Sequence, residues 1–267
     1  MTVLDTDTFA ADWAEWHEQH EAVRADGHGF LALTGLHWLT GEPQRFDDAP
    51  GEWWTGGGGP VVRLAEGEEL LVDGSPVHGE HAFGVIPERG GVTAGFGDAV
   101  IEVARRGGSD VVRPRHPSYR VRVDYPGTPA YPADPRWAVT GRYVPFDEPR
   151  PTTVGAVVEG LQHVYDAPGR VEFELDGRPL SLTAFNGATP GSLFILFTDE
   201  TSGVTTYAAN RSLKVDAPAA DGTVTLDFNR ATNLPCAYTE FATCPLPPAE
   251  NHLPVAVEAG EKKPVTA

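Results

Sequence analysis

The first 27 residues carry hydrophobic positions at helical spacing. Aromatic and apolar side chains recur at intervals of four and three, which places them on one face of a helix: Phe9, Trp13, Trp16, His20 and Val23. Asp7 or Thr8 is suited to capping the start of this helix, and Gly27 to ending it. We expect an amphipathic helix whose aromatic face docks on a sheet.

From residue 28 onward the pattern changes to short strands separated by turns. The pairs Asp73-Gly74 and Asp176-Gly177 lie between apolar runs and predict two-residue hairpin turns. The segment YRVRVDY, residues 119–125, alternates apolar and charged positions and predicts a strand. The 30 glycines and 24 prolines favour many short strands over a helical bundle.

These patterns predict a mainly β fold. We expect an antiparallel β-barrel or sandwich with an N-terminal amphipathic helix and a long Pro/Asn-rich C-terminal wrapping segment. The chain is predicted to have three parts: an N-terminal helix at 1–27, a small β-sandwich-like subdomain at 28–112, and an antiparallel β domain at 118–267.

The C-terminal segment 227–254, DFNRATNLPCAYTEFATCPLPPAENHLP, is unsuited to a helix or a central strand. Its prolines fix φ and remove backbone donors, and its asparagines can satisfy backbone groups that have no ladder partner. The segment therefore reads as a wrap across a sheet or a closure of a barrel mouth. Its polar residues are either buried anchors or the lining of a ligand pocket: Asp227, Asn229, Arg230, Asn233 and Asn251.

Residues from neighbouring strands complete the candidate ligand-binding set. Asp199, Tyr207 and Arg211 precede the segment, and adjacent antiparallel strands bring them towards Asp227 and Arg230. Arginine can hold a carboxylate or a phosphate bidentately. The alternative is that these arginines and acids hold each other in a buried network.

The charge of the chain narrows the classes of partner. The net charge is −18, and both nucleic acids and anionic membranes need a basic footprint, so we expect neither as a partner. Only three lysines occur: Lys214, Lys262 and Lys263. The acidic first twenty residues do not resemble a signal peptide and no apolar run has the length of a membrane helix, so we expect a cytoplasmic protein.

Cysteine and histidine usage gives no strong metal signature. Cys236 and Cys244 are separated by seven residues, and with His252 they match no standard zinc spacing, so we expect free thiols. His17 and His20 lie three apart on the predicted helix and could share a metal ion, but the flanking tryptophans favour a packing role. We therefore expect no metal site and no cofactor.

Several segments resemble one known family. The runs LFILFTDETSGVTTY and LDFNRATNLPCAYTEFATCPLPPAENHLPVAVEAGEKK are similar to the C-terminal half of a bacterial family called domain of unknown function 1684. The upstream pieces GFLALTGLHWLTGE, DPRWAVTGRYVPF and GRVEFELDGRPLSL fit as well, so the resemblance spans nearly the whole chain. It implies that the C-terminal segment is a family hallmark, and it implies no established activity.

The chain departs from the family pattern at three places. TYAANR stands where members usually have TYGxGR, NRATNLPCA replaces NRAYNPPCA, and GEPQRFDDAP replaces a GxNxFGSD pattern. If these positions form a pocket, the resemblance implies that this chain binds a different ligand or binds more weakly.

Three functions stay open for this cytosolic β-rich chain. The one we favour is binding of a small polar or anionic ligand near the DFNR segment, residues 227–230. The second is a cofactor-independent hydrolase or isomerase that uses Asp227 or Asp199 as acid or base. The third is a structural or interaction protein without pocket chemistry. Patterning makes no prediction of oligomeric state.

Overall fold

The computed structural model describes residues 6–265. Strands dominate, which confirms the predicted mainly β class. In chain order the elements are α1 (Thr6–Arg24), β1 (His37–Trp38), β2 (Gln44–Phe46), β3 (Ala49–Gly56), β4 (Gly59–Arg63), β5 (Leu70–Val72), β6 (Ser75–Val77), β7 (Glu80–Ala82), β8 (Gly91–Phe96), β9 (Ala99–Arg106), β10 (Ser109–Arg115), α2 (Arg120–Val123), β11 (Ala138–Gly155), β12 (Gln162–Leu175), β13 (Arg178–Asn186), β14 (Leu193–Asp199), β15 (Arg211–Val215), β16 (Thr223–Asp227) and β17 (His252–Leu253).

The chain divides into two compact units. The two-sheet unit comprises residues 23–125 and 239–243. The half-barrel unit comprises, within the described chain, residues 6–22, 126–238 and 244–265. Strand β10 continues to Arg115, beyond the boundary predicted at residue 112. The three-part division proposed from the sequence stays a prediction.

Two antiparallel sheets form the two-sheet unit. Their strand orders are β1-β10-β9-β8-β5-β6 and β2-β3-β4-β7. Ile101 and Val103 from the first sheet share one buried cluster with Trp53 and Val62 from the second. The predicted turn at Asp73-Gly74 is confirmed: it joins β5 to β6, and both residues have positive φ, as a type I′ turn requires.

The prediction of a strand at residues 119–125 is wrong. Residues Arg120–Val123 form the short helix α2, and Val123 is exposed. The Arg122 side chain donates to the carbonyl oxygens of Pro117, at 2.8 Å, and Ala25, at 3.0 Å. These contacts to loop carbonyls stabilise a compact turn, and such contacts cannot be read from an alternation of seven residues.

The half-barrel unit is one curved antiparallel sheet with a short parallel addition. Its strand order is β15-β14-β13-β12-β11-β16, and β17 pairs in parallel with β14. The predicted hairpin turn at Asp176-Gly177 is confirmed between β12 and β13, again with positive φ at both residues. The core gathers large side chains from every strand of this order, including Phe173, Phe197 and Leu226.

Alternation along the two terminal strands of this sheet places polar groups on its outer face. In β15 the side chains of Leu213 and Val215 are buried and Lys214 is exposed. In β16 Leu226 is buried and Thr225 is exposed. Because successive side chains of a strand point to opposite faces, Lys214 and Thr225 point away from the core.

Helix α1 contributes its aromatic residues to the same unit. The indole Nε1 of Trp13 donates to the carbonyl oxygen of Asn229 at 2.7 Å, and Trp13 and Trp16 are half-buried. This agrees with the predicted docking face. Val23, assigned to that face from its spacing, is instead 74% exposed, whereas the next residue, Arg24, is buried.

The C-terminal segment wraps the half-barrel, as predicted. Between residues 228 and 265 it forms only short 3₁₀ turns and the two-residue strand β17. Backbone hydrogen bonds hold it to the sheet, as between Thr232 and Ser212 and from Leu246 to the oxygen of Gly155. Within residues 6–265, no helix combines the length and apolarity needed to cross a membrane.

Candidate functional site

A pocket of about 370 Å³ lies in the half-barrel unit, between α1 and the outer face of β15 and β16. Helix α1 supplies one wall, strands β15 and β16 supply the second, and the wrapping segment closes the end. Its lining residues are Trp16, His20, Lys214, Asp216, Thr225, Asp227, Arg230 and Thr232. The pocket thus combines an indole wall, two hydroxyls and charges of both signs.

The acid and the arginine of this pocket form a half-exposed pair. Strand β16 ends at Asp227, and residues 228–230 form a 3₁₀ turn. Asp227 Oδ1 accepts from the backbone N–H of Asn229 at 3.1 Å and from its side-chain amide at 2.8 Å. Asp227 Oδ2 lies 3.3 Å from Arg230 Nε. Asp227 therefore caps the turn and orients the arginine at the same time.

The guanidinium of Arg230 faces the pocket. Its carbon Cζ lies 5.3 Å from the centre of the Trp16 ring, and its side chain is 42% exposed. The interpretation of Arg230 as a buried anchor is therefore wrong. The turn after β16 carries its side chain out of the sheet, where the indole supports it from one side.

Lys214 adds a second positive charge. Among residues 6–265, its ammonium group forms no ion pair within 4.0 Å. Asp216 follows two residues later on the same face of the chain and is also exposed. Lys214 has no counter-charge among the described residues, and only the Nε side of Arg230 is paired with an acid. Together they favour the binding of an anionic group in this pocket.

A larger pocket, of about 560 Å³, lies in the two-sheet unit, but most of its charged side chains are paired within the protein. Asp48 accepts from Thr34 at 2.8 Å and lies 2.7 Å from His37 Nε2. Burial opposes ionisation of Asp48, but these hydrogen bonds outweigh it and lower its pKa. Arg45 pairs with Glu68 in the same lining. The smaller pocket is therefore the better candidate for a charged ligand.

Two other predicted site residues form a closed buried pair. Arg211 Nη2 donates to Asp199 Oδ2 at 2.7 Å, and both side chains are almost completely buried. Asp199 Oδ1 accepts from the backbone and hydroxyl of Thr201, at 2.8 and 2.6 Å. Arg211 also donates to the carbonyl oxygens of Val257 and Ala259. This pair fastens the wrapping segment to β14 and β15, and neither residue lines the pocket.

Three predicted asparagines are buried anchors. Asn251 accepts from the N–H of Thr183 and donates to its oxygen, both at 2.8 Å, and also donates to Leu196 at 2.8 Å. It thereby bridges β13 and β14. Asn233 donates through its side chain to Lys262 at 2.8 Å. Asn229 exchanges hydrogen bonds with the backbone of Asp134, at 2.9 and 3.0 Å.

The last predicted residue, Tyr207, contacts the cysteine pair. Its hydroxyl donates to the carbonyl oxygen of Cys236 at 2.8 Å, and burial, together with the neighbouring Cys236, raises the pKa of this phenol. Both thiols are free, as expected. A hydrogen bond with Cys244 is the main cause that lowers the pKa of Cys236.

Sequence reasoning found Asp227 and Arg230 but missed most of the pocket lining. Lys214 was visible as one of three lysines, and Trp16 and His20 as neighbours on one helix face. Nothing in the sequence pattern placed α1 against strands about two hundred positions later.

A second group of side chains lies near α1. Among the described residues, His17, Glu21 and Glu261 bring metal-ligating atoms close together.

Comparison with known proteins settles the family. Residues 123–262, just over half of the chain, match the model of a family described as "Protein of unknown function (DUF1684)". The chain belongs to the DUF1684 family. The resemblance noted from its motifs is thereby confirmed over this range, and the piece GFLALTGLHWLTGE lies before it. In this DUF1684 member the pocket residues on β15, β16 and the wrapping segment lie inside the matched range, and Trp16 and His20 lie before it.

One solved structure is similar to this DUF1684 member. It is the solution NMR structure of an uncharacterized protein from Haloarcula marismortui, with 32% sequence identity and a TM-score of 0.45. The match covers 53% of this chain and 78% of that chain. The search of curated proteins found no match.

Proposed function

We propose that the pocket between α1, β15 and β16 binds a small polar ligand that carries one anionic group, a carboxylate or a phosphate. One observation supports this most strongly. Lys214 and Arg230 converge on a single pocket walled by Trp16, in a chain whose net charge is −18. A local pair of cations in an otherwise acidic protein favours the binding of an anion at that place.

Arg230 is the group best prepared to hold the anion. Asp227 fixes its Nε side and the Trp16 ring supports its plane, so the guanidinium loses little freedom on binding. Its terminal nitrogens provide the parallel N–H donors that bind a carboxylate or phosphate bidentately. Lys214 adds a point charge that does not require one geometry.

The remaining lining residues restrict the ligand to a small, singly anionic molecule. A volume of about 370 Å³ suits a metabolite-sized ligand. Asp216 and Asp227 repel a second negative charge, whereas the Thr225 hydroxyl can hydrogen-bond a polar body. The flat indole of Trp16 offers apolar contact to the rest of the molecule.

Nothing in this geometry favours catalysis by the predicted acids. Asp199 is enclosed with Arg211, and both of its carboxylate oxygens accept hydrogen bonds from the protein. Asp227 uses one oxygen for Asn229 and the other for Arg230. Both carboxylates are thus engaged in holding other groups of the protein, which favours an anchoring and orienting role over an acid or base role.

Binding of minimal anions tests the proposal. The full chain is titrated at low ionic strength with inorganic phosphate, and separately with lactate, which carries a single carboxylate, while tryptophan fluorescence and heat are recorded. Arg230→Ala and Lys214→Ala should each weaken binding at least about tenfold, as expected for a lost charged hydrogen bond. Arg142→Ala, which removes an exposed arginine of β11 outside the pocket, should change nothing.

Two results would contradict the proposal. One is a wild-type chain that binds neither anion at millimolar concentration. The other is equal binding by wild type, Arg230→Ala and Arg142→Ala, which would show that the anions bind elsewhere.

A further inference from the structure

A histidine and two glutamates of the half-barrel unit form a compact cluster. Each of three residues, His17, Glu21 and Glu261, offers one ligand atom, and these three atoms lie within 4.8 Å of one another. His17 and Glu21 are four residues apart on α1, which puts them on one helix face. Beyond the anion pocket, and independently of it, we infer that this cluster binds a divalent first-row transition-metal ion.

The burial of the two carboxylates supports a cation at this place. Glu261 is 1% exposed and Glu21 is half-buried. Two carboxylates this close repel each other, and burial strengthens that repulsion unless a positive charge is shared between them. A divalent ion shared by the two glutamates lowers this repulsion.

Outer hydrogen bonds orient both carboxylates. The backbone N–H of Thr128 donates to Glu21 Oε2 at 3.1 Å, and that of Asn233 donates to Glu261 Oε2 at 2.7 Å. The Tyr238 hydroxyl lies 3.4 Å from Glu261 Oε2 and 2.8 Å from Thr128 Oγ1. This connected set fixes Oε2 of each glutamate, as the outer shell of a metal site does.

The imidazole of the cluster is also held in place. His17 stacks on Trp13 with ring centres 4.7 Å apart and an interplanar angle of 14°. Trp13 is in turn fixed by its hydrogen bond to Asn229. An imidazole held by this stacking needs little reorganisation to coordinate a metal ion.

The backbone before Glu261 is built for close approach. Gly260 has a φ of +73°, and a Cβ there would lie 2.6 Å from the oxygen of Ala231. Only glycine combines that conformation with that contact. The glycine therefore allows the wrapping segment to bring Glu261 under the helix.

The donor set selects the class of metal. One imidazole nitrogen with two carboxylate oxygens suits Zn²⁺, Fe²⁺ or Mn²⁺, whereas Ca²⁺ and Mg²⁺ prefer oxygen ligands alone. Three protein ligands leave a coordination position open. His20 lies at this side, with Nε2 at 3.6 Å from Glu261 Oε1, and it also lines the anion pocket.

A metal titration distinguishes this assignment from a simple His20–Glu261 ion pair. The untagged full chain, freed of metal with a chelator, is titrated with Zn²⁺ by calorimetry and with Co²⁺ by visible absorption, in a buffer without phosphate or carboxylate. We expect one ion per chain and d–d bands that report nitrogen and oxygen ligands. Wild-type protein that binds no Zn²⁺ or Co²⁺ would overturn the inference.

Matched variants locate the ion. Glu21→Gln keeps an oxygen for the Thr128 N–H but loses the charge, and it should weaken Zn²⁺ binding at least about tenfold, as should His17→Gln. Glu18→Gln changes an exposed residue of the same helix and should have no effect. Equal Zn²⁺ affinity in Glu21→Gln, His17→Gln and Glu18→Gln would overturn the inference. Lys214→Ala should retain Zn²⁺ even if anion binding fails, so the two proposals fail separately.

Discussion

Two aspartate–arginine pairs in the half-barrel unit have the same chemistry and different surroundings. Asp199 and Arg211 are 0% and 1% exposed and lie 2.7 Å apart. Asp227 and Arg230 are 21% and 42% exposed and lie 3.3 Å apart. The first pair is enclosed by backbone groups of the wrapping segment, and the second pair faces a pocket.

The difference shows which observation separates an anchor from a ligand group. Arg211 donates hydrogen bonds to Asp199 and to carbonyl oxygens of the wrapping segment. Arg230 contacts only Asp227 and the Trp16 ring among the described residues, so its outer donors are available to a ligand. The residue types are the same in both pairs, although the partners are 12 residues apart in the first pair and three apart in the second. The partners decide the role.

The largest expected effect comes from breaking the enclosed pair. Asp199→Asn leaves the Arg211 charge buried without a counter-charge, which should lower the free energy of unfolding by about 3–5 kcal/mol. Asp227→Asn, the matched change in the pocket pair, should lower it by about 1 kcal/mol or less. Urea unfolding at pH 7 measures both. Equal losses in the two variants would mean that the pairs do not differ in role.

The asparagine anchors give the next largest effect. Asn251→Ala removes two hydrogen bonds to β13 and one to β14 and should cost about 2–3 kcal/mol of unfolding free energy. Thr225→Ala, on the pocket face of β16, should cost less than about 0.5 kcal/mol. Thermal unfolding of the two variants makes the comparison, and a large loss for Thr225→Ala would place the pocket face among the structural elements.

A third acid, Glu102 of the two-sheet unit, is paired with arginines as Asp199 is, and its pKa provides a test by pH. Burial opposes ionisation of Glu102, but the charges of Arg113 and Arg115 outweigh it and hold its pKa below the ordinary 4.5. Its ionised form should stabilise the fold fully above pH 4.5, and this stability should be lost as pH falls through the lowered pKa.

Unfolding free energies of wild type and Glu102→Gln, measured between pH 7 and pH 3, check this sign. The advantage of wild type should be greatest at neutral pH and shrink below pH 4.5. An advantage that grows on acidification would contradict the assigned direction.

The smallest effect on stability is expected from the residue most important for binding. Arg230→Ala removes a half-exposed pair and a ring contact, which together should contribute no more than about 1 kcal/mol to unfolding. Differential scanning calorimetry should therefore give nearly the wild-type melting temperature. A cooperative transition lost at room temperature would move Arg230 to the structural class.

The sequence predicted those features that local patterns determine. The hairpin turns at Asp73-Gly74 and Asp176-Gly177 follow from backbone preferences of two residues, and the N-terminal helix from its spacing. The strand predicted at 119–125 is wrong because Arg122 contacts the carbonyl oxygens of Pro117 and Ala25, which both lie outside that segment. The placement of Val23 on the packed helix face also failed, since Arg24 is the buried residue at that end of the helix.

The candidate site was predicted only where it is local. Asp227 and Arg230 are three residues apart, and their pairing follows from the turn between them. Lys214, Trp16 and His20 reach the pocket through the docking of α1 on the outer strands, which depends on the whole fold. The proposed use of Arg211 as a ligand group could not be judged from sequence either, because its carbonyl partners lie about fifty residues away.

Native mass spectrometry of the wild-type chain and of Arg230→Ala, each compared with its denatured mass, tests the central claim most directly. The account predicts that wild type purified from its own cells carries an extra small anionic mass and that folded Arg230→Ala carries none. An identical retained mass in both proteins, or no retained mass in wild type, would contradict the claim that the exposed pair serves a ligand while the buried pair serves the fold.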